Sequence, residues 1–376
     1  AQDINKMPKE IIAAFAYLVD PQLAQHKIYL LSTLLVTWWL VTGLSCLGLR
    51  VSNWLSSVGA LLGTLIPMLF MIVLAVLWIK SSRPLAIHFV SHAFLPNLTN
   101  FNNLAFLTTI IFGLMGLEMS AVHAGDVRNP QKDYPRALFW STSLILITLI
   151  LSSLAISFIV PAKQLSILSG LTEAYVVFFN SFHLPFFIPI IISLIIIGSL
   201  CSISTWVIGP TRGLLIATFE NKISGLHCLL KVNRFGAPVC LLLFQGILVT
   251  LLSSLFILIP SVSEAYWLLS VMTAQLAVLF YIFLFLAALR LRYKEARQSR
   301  VYRIPGGKWG IWIVTGLGLL ACVMTFILGF FPPAVIVVDN LVKFDMILLG
   351  GLLLFCLPAV LSGVLLIGRS DSENNN

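Results

Sequence analysis

The 376-residue sequence is 59% hydrophobic and only 10% charged, with a mean hydropathy of +1.01. That composition excludes a soluble globule and describes a polytopic membrane protein. The formal net charge of +9 follows from the loops between apolar runs and requires no nucleic-acid partner.

The chain opens on AQDINKMPKE, polar and mixed in charge, with no initiating Met and no signal peptide. Ile11 to Val19 is too short to cross a bilayer and reads as the tail of an earlier helix. A span needs about 20 mainly apolar residues. Nine segments meet or nearly meet that length: Ile28 to Leu49, Trp54 to Ile79, Asn103 to Val122, Ala137 to Val160, Pro185 to Thr211, Val239 to Ile259, Tyr266 to Leu289, Trp309 to Phe331, and Met346 to Gly368. Short polar turns separate them, without a soluble domain or a low-complexity tract.

Lys and Arg are divided unevenly between alternate loops. One set holds Arg50; Arg128, Lys132 and Arg136; Lys222, Lys231 and Arg234; and Arg290, Arg292, Lys294, Arg297, Arg300, Arg303 and Lys308. The other holds only Lys27, Lys80, Arg83, Lys163 and Lys343. Positive loops stay cytoplasmic, so the first set and the C-terminal tail with Arg369 are expected there. The run RLRYKEARQSR reads as a solvated cytoplasmic loop. Six cysteines (Cys46, Cys201, Cys228, Cys240, Cys322, Cys356) show no CxxC spacing and sit mostly in apolar runs, which argues against a disulfide framework or a metal site.

One span departs from the others. Glu118 lies within Asn103 to Val122, about one turn beyond Gly113 and Gly116. Intramembrane acids are costly and face a pathway or the protein interior, and glycine-interrupted spans expose backbone groups to solutes in many transporters. A half-helix starting near Gly116 would aim free N–H groups at an anion, while the half before it would end in carbonyls suited to an ammonium. His123 and Asp126, three residues apart, can meet on one helix face as a solvated or proton-responsive pair. Trp206 stands in an aliphatic span beside Ser202, Ser204 and Thr205, and lines a chamber or belongs to an interfacial belt. Pro210 would kink that helix, and Arg212 would cap it or reach Glu220. Thr273, Gln275 and Tyr281 are the polar groups of a later span, where interior hydrogen bonding and a pathway role can coexist. His88 and His92 have metal-ligand spacing but no third ligand, so they read as an exposed loop with Arg83. Asn97 in NLT fits a glycosylation sequon, which is irrelevant in a bacterium.

The segment FGLMGLEMSAVHAGDVRNPQKDYPRA from Phe112 resembles the sixth helix and following loop of the amino acid/polyamine/organocation (APC) superfamily. Its GLE, SA, His, NP and DYP elements are most similar to the bacterial glutamate/γ-aminobutyrate antiporters. Further matches follow in order: FLPN at Phe94 to Asn97, STWVIGPTRG at Ser204 to Gly213, KVNRFGAPV at Lys231 to Val239, YRIPGG at Tyr302 to Gly307, and FFPP at Phe330 to Pro333. The resemblance implies an all-α, polytopic membrane protein with the leucine-transporter-like inverted-repeat fold. It implies a single transporter domain over residues 1–376, running from late helix three to helix twelve of a twelve-helix family, N-terminally incomplete and without the C-terminal plug of some glutamate antiporters.

The function implied is an amino acid antiporter of the bacterial inner membrane. It would exchange glutamate or a related amino acid for γ-aminobutyrate or another decarboxylation product by alternating access, which consumes cytoplasmic protons when paired with a decarboxylase and so serves acid resistance. Substrate contacts are expected at Phe112, Gly113, Met115, Gly116, Trp206, Thr273 and Tyr281, with Phe112 at the aromatic gate position where related exchangers often carry Trp. Gating or pH sensing is expected at Glu118, His123 and Asp126. No catalytic residue, metal or cofactor is implied. The partners expected are small amino acids and membrane lipids, not nucleic acid, with the chain a monomer or homodimer. A general amino acid permease of the same superfamily and a non-transporting remnant stay open. A membrane-embedded enzyme would require a His, Asp and Glu cluster at a membrane surface, which the sequence does not display.

Overall fold

A computed structural model describes residues 27–87, 104–161, 170–221, 231–254, 259, 262–294, 302–333, 338 and 340–374. The described residues form helices and turns, without a strand. In chain order the helices are α1 (Lys27–Ser45), α2 (Leu49–Gly59), a π-helical turn (Ala60–Leu65), α3 (Ile66–Lys80), α4 (Phe106–Leu114), a 3₁₀ helix (Leu117–Asp126), α5 (Pro130–Ile159), α6 (Gly170–Ser181), α7 (Phe187–Asn221), α8 (Val239–Ser254), α9 (Val262–Lys294), α10 (Gly307–Leu328) and α11 (Leu341–Asn374).

Among the described residues six stretches are long and apolar enough to cross a membrane: Ile28–Ser45, Asn53–Lys80, Pro130–Ile159, Phe187–Ile216, Glu264–Lys294 and Gly307–Leu328. Each overlaps a span read from the sequence. The expected span Val239 to Ile259 is described as a helix to Ser254, and Met346 to Gly368 falls inside α11. The expected span Asn103 to Val122 differs, because α4 stops at Leu114 and a 3₁₀ helix follows. Ile11 to Val19, His88, His92, Asn97 and Cys228 lie outside the described residues.

The chain packs as two compact units. The first comprises Ala1–Val90 with Gly116–Val262, and its spine is α7. Small residues let two backbones approach there: a Cβ on Gly63 would stand 2.0 Å from Gly198 Cα, and one on Gly59 would stand 2.3 Å from Cys201 Cβ. Gly59 and Gly63 are four residues apart, the small-xxx-small spacing that brings membrane helices together, and the π-helical turn lies at this contact. An aromatic core closes the unit around α3, α5, α6 and the start of α7. Tyr175, Phe178 and Phe179 are fully buried against Met71, Leu74 and Ile192, and Tyr175 donates its hydroxyl to the Pro67 carbonyl. Arg83 stacks its guanidinium over Trp78 and Phe182, at 5.1 Å and 4.6 Å from the ring centroids.

The second unit comprises Ser91–Met115 with Ser263–Asn376 and holds α4, α9, α10 and α11. Helices α9 and α10 run antiparallel, as three contacts in step establish. Gln275 Nε2 donates to the Phe326 carbonyl at 2.9 Å, Gly318 accommodates the Phe285 ring, and Trp312 Nε1 donates to the Tyr293 hydroxyl at 2.7 Å. Phe106 of α4 meets Trp267 of α9 edge to face, with centroids 6.2 Å apart.

Gly198→Val is expected to overpack the crossing of α7 with the π-helical turn and lower stability by about 1–3 kcal/mol. Gly43→Ala, whose added Cβ meets nothing within 4 Å, should leave it unchanged. Thermal unfolding of the detergent-solubilised protein, followed by intrinsic fluorescence, checks the contrast; equal shifts would contradict the close crossing.

Candidate functional site

The site is built on the interruption between α4 and the 3₁₀ helix. Helix α4 ends as Met115 turns extended, with φ −72° and ψ 156°, and Gly116 follows at φ +105°. That positive φ requires glycine, because a Cβ would collide with backbone. The ten-residue 3₁₀ helix after it is long for its type, and such stretches mark strain or hinges. Changing from α to extended to 3₁₀ interrupts the backbone ladder in an apolar segment, so the freed groups need other partners.

Glu118 supplies one of them. Its Oε2 accepts the Gly116 N–H at 3.0 Å, and the residue is half-buried. The Gly116 carbonyl in turn accepts the Met119 N–H at 3.1 Å. The donor at Gly116, which the sequence suggested was available to an anion, is thus held by the chain's own carboxylate.

Within the first unit the 3₁₀ helix lies along α7, and the contacts advance together. The Trp206 indole approaches Gly116, where an added Cβ would stand 3.3 Å from Cζ2. One turn on, the Met119 side chain fills the space left by Gly209. Beyond that, Arg212 Nη1 lies 2.7 Å from His123 Nδ1. Guanidinium only donates, so His123 accepts through an unprotonated Nδ1. Large side chains face glycines twice in succession, first from α7 and then from the 3₁₀ helix. Tyr134 at the start of α5 closes the turn by donating to the Ser120 carbonyl at 2.6 Å.

Trp206 is 48% exposed although its helix is apolar, and Gln245 of α8 donates to its carbonyl at 3.3 Å. Beside it, Thr205 Oγ1 donates to Ser56 Oγ at 2.7 Å, and Ser56 Oγ lies 3.1 Å from Ser204 Oγ. An exposed indole edge next to hydroxyls offers an apolar face and hydrogen-bonding groups together.

The second unit carries Phe112, Gly113, Met115, Thr273 and Tyr281. Phe112 is exposed, and space is open around Gly113. Thr273 is exposed and donates to the Leu269 carbonyl at 2.8 Å, Tyr281 is half-buried, and Gln275 is fully buried. Asp126 ends the 3₁₀ helix, and its side chain lies outside the described set. Among the described residues no group of three or more His, Cys, Asp or Glu is placed to hold a metal.

Three features were not anticipated from the sequence: the Arg212 contact with His123, the seat of Met119 on Gly209, and the contribution of Ser56. The glycine in WVIGPTRG was the available signal for the second, since a glycine inside an apolar helix often marks a close approach.

Residues 10–355 match the amino acid permease family. Over 345 residues, 92% of this chain and 74% of the relative, the sequence is 45% identical to an uncharacterized transporter of Legionella pneumophila subsp. pneumophila. It is 27% identical over 344 residues, 90% of this chain and 68% of the relative, to the glutamate/γ-aminobutyrate antiporter of Lactococcus lactis subsp. lactis. It is also 22% identical over 302 residues, 79% of this chain and 63% of the relative, to a probable agmatine/putrescine antiporter of the same subspecies.

Gly116→Ala is expected to cost about 1–2 kcal/mol from the positive φ alone, with crowding of the indole added to it. In a Trp206→Leu background the crowding should vanish and the backbone penalty remain. A double-mutant cycle on thermal stability separates the two; no loss in either background would contradict the conformation at Gly116.

Proposed function

We propose that this chain, which belongs to the amino acid permease family, exchanges glutamate or a related amino acid for γ-aminobutyrate or another decarboxylation product across the bacterial inner membrane. The observation that carries the reading is the interruption at Met115 and Gly116, capped by Glu118. A zwitterion entering low dielectric needs partners for both its ends, already in place. The last carbonyls of α4 suit an ammonium, and the first N–H groups of the 3₁₀ helix suit a carboxylate.

Glu118 is the gating acid in this reading. Its carboxylate holds the Gly116 N–H that a substrate carboxylate would seek, so the two compete for one turn. Displacement of Glu118 releases that donor. Trp206 covers the substrate side chain, and Phe112, Gly113, Met115, Gly116, Thr273 and Tyr281 complete the proposed contacts. His123 and Asp126 are the further gating residues that the family resemblance suggests. Alternating access moves the substrate, and the Arg-rich and Lys-rich loops with the C-terminus lie in the cytoplasm.

Uptake of radiolabelled glutamate into proteoliposomes tests the reading, with and without internal γ-aminobutyrate, at acidic and neutral pH. Uptake is expected to require the internal counter-substrate and to be greater at acidic pH. Trp206→Ala should raise KM about tenfold, the loss of a contact worth about 1.4 kcal/mol. Glu118→Gln, which keeps the shape and an acceptor oxygen but not the charge, should weaken the hold on the Gly116 N–H and lower KM for glutamate. Uptake that ignores the internal solute contradicts exchange. Uptake of other amino acids but not glutamate would favour a general permease.

A further inference from the structure

The hairpin end of the second unit gathers positive charge against an exposed apolar track. Arg290, Arg292 and Lys294 occupy the last turns of α9, and Arg303 and Lys308 flank the start of α10. Over residues 290–309 the sequence carries one acid, Glu295, against seven Lys and Arg. Tyr293, Tyr302, Trp309 and Trp312 are all exposed among them, Trp309 by 80%. The bond from Trp312 Nε1 to the Tyr293 hydroxyl ties the two helix ends together at 2.7 Å.

Below this cluster α10 divides into two faces. Ile311, Thr315, Cys322, Thr325 and Leu328 are buried. Ile313, Leu317, Leu320, Met324 and Ile327 are exposed and recur at three- and four-residue steps from Trp309. The exposed stripe therefore runs along the helix and ends among the aromatics and cations.

We propose that this end of the α9–α10 hairpin binds an anionic phospholipid, its phosphate among Arg290, Arg292, Lys294, Arg303 and Lys308 and its acyl chain along the exposed stripe of α10. Charge complementarity selects the occupant. Arg presents a planar fork of donors that matches phosphate oxygens, and juxtamembrane cations attract acidic lipids. Trp and Tyr settle at headgroup depth, which sets the height of the site. A topogenic, fully solvated loop would account for the charge alone. It would not place the cations at the head of an apolar stripe framed by aromatic rings. The proposal concerns a surface of one unit and stands independently of the substrate assigned above.

Native mass spectrometry of the purified full chain tests it, by titration with phosphatidylglycerol and with phosphatidylcholine of the same acyl chains. The wild type is expected to retain phosphatidylglycerol about tenfold more strongly. That preference should disappear in R290Q/R292Q/K294Q/R303Q/K308Q and fall partway in R303Q/K308Q, which guards against a fold defect in the fivefold variant. It should persist in K231Q/R234Q, which removes cations of the first unit. Equal retention of the two lipids, or equal loss in K231Q/R234Q, would overturn the proposal. So would displacement of the lipid by millimolar glycerol phosphate, which would make this a site for soluble phosphate.

Discussion

In hydrocarbon an unpaired backbone N–H or C=O is costly, and that constraint governs the interruption between α4 and the 3₁₀ helix. A span broken at mid-course must satisfy the exposed groups with something other than water. Here a side chain two residues downstream does so, as Glu118 takes the Gly116 N–H. The same acid that stabilises the turn also occupies a donor that an anionic solute would use. In the proposed exchange, stability of the closed turn and availability of the donor would be opposed in a single hydrogen bond. The bond closes a turn of two residues, so the side chain and the donor it satisfies are fixed by the same local backbone.

Helix α7 gives the turn its setting. Gly198 and Cys201 are taken up by the close approach of Gly63 and Gly59. Farther along, Trp206, Gly209 and Arg212 meet Gly116, Met119 and His123 in step. One helix thus connects a tight small-residue crossing to a looser contact in which an indole and a thioether fill glycine-lined space. The first kind of contact resists deformation, since backbone has no rotamer to yield. The second can repack, because Met is flexible and adapts to irregular gaps. The difference places compliance beside Glu118 and rigidity away from it.

Local pattern made the spans legible. The apolar run Tyr266 to Leu289 lies inside α9, and Pro185 to Thr211 overlaps α7 in all but its first two residues, with α7 continuing to Asn221. The anomaly at Glu118 was legible too, since a charge stands out against an uncharged span, and the glycines around it marked the interruption. Hydropathy could not distinguish an α-helix from a 3₁₀ helix over Leu117–Asp126, because both present the same residues and differ only in winding. Pairings between distant residues were equally hidden. Nothing local to Arg212 indicates His123, 89 residues away, and nothing local to Gly63 indicates Gly198. The hydroxyl of Ser56 looked like an ordinary residue at the start of a span, yet it joins Ser204 and Thr205 across 148 and 149 residues.

In the proposed exchange the chain opens at Met115 and Gly116, Glu118 holds the opening closed, and substrate engages it. Hydrogen–deuterium exchange of the full chain in nanodiscs, resolved to peptides spanning Phe112–Ala121 and the middle of α5, tests it most directly. Exchange is expected to be faster at the interruption than in α5, faster still in Glu118→Ala, and slower when glutamate is added. Protection at Phe112–Ala121 equal to that of mid-α5, unchanged by the substitution and by glutamate, would contradict it.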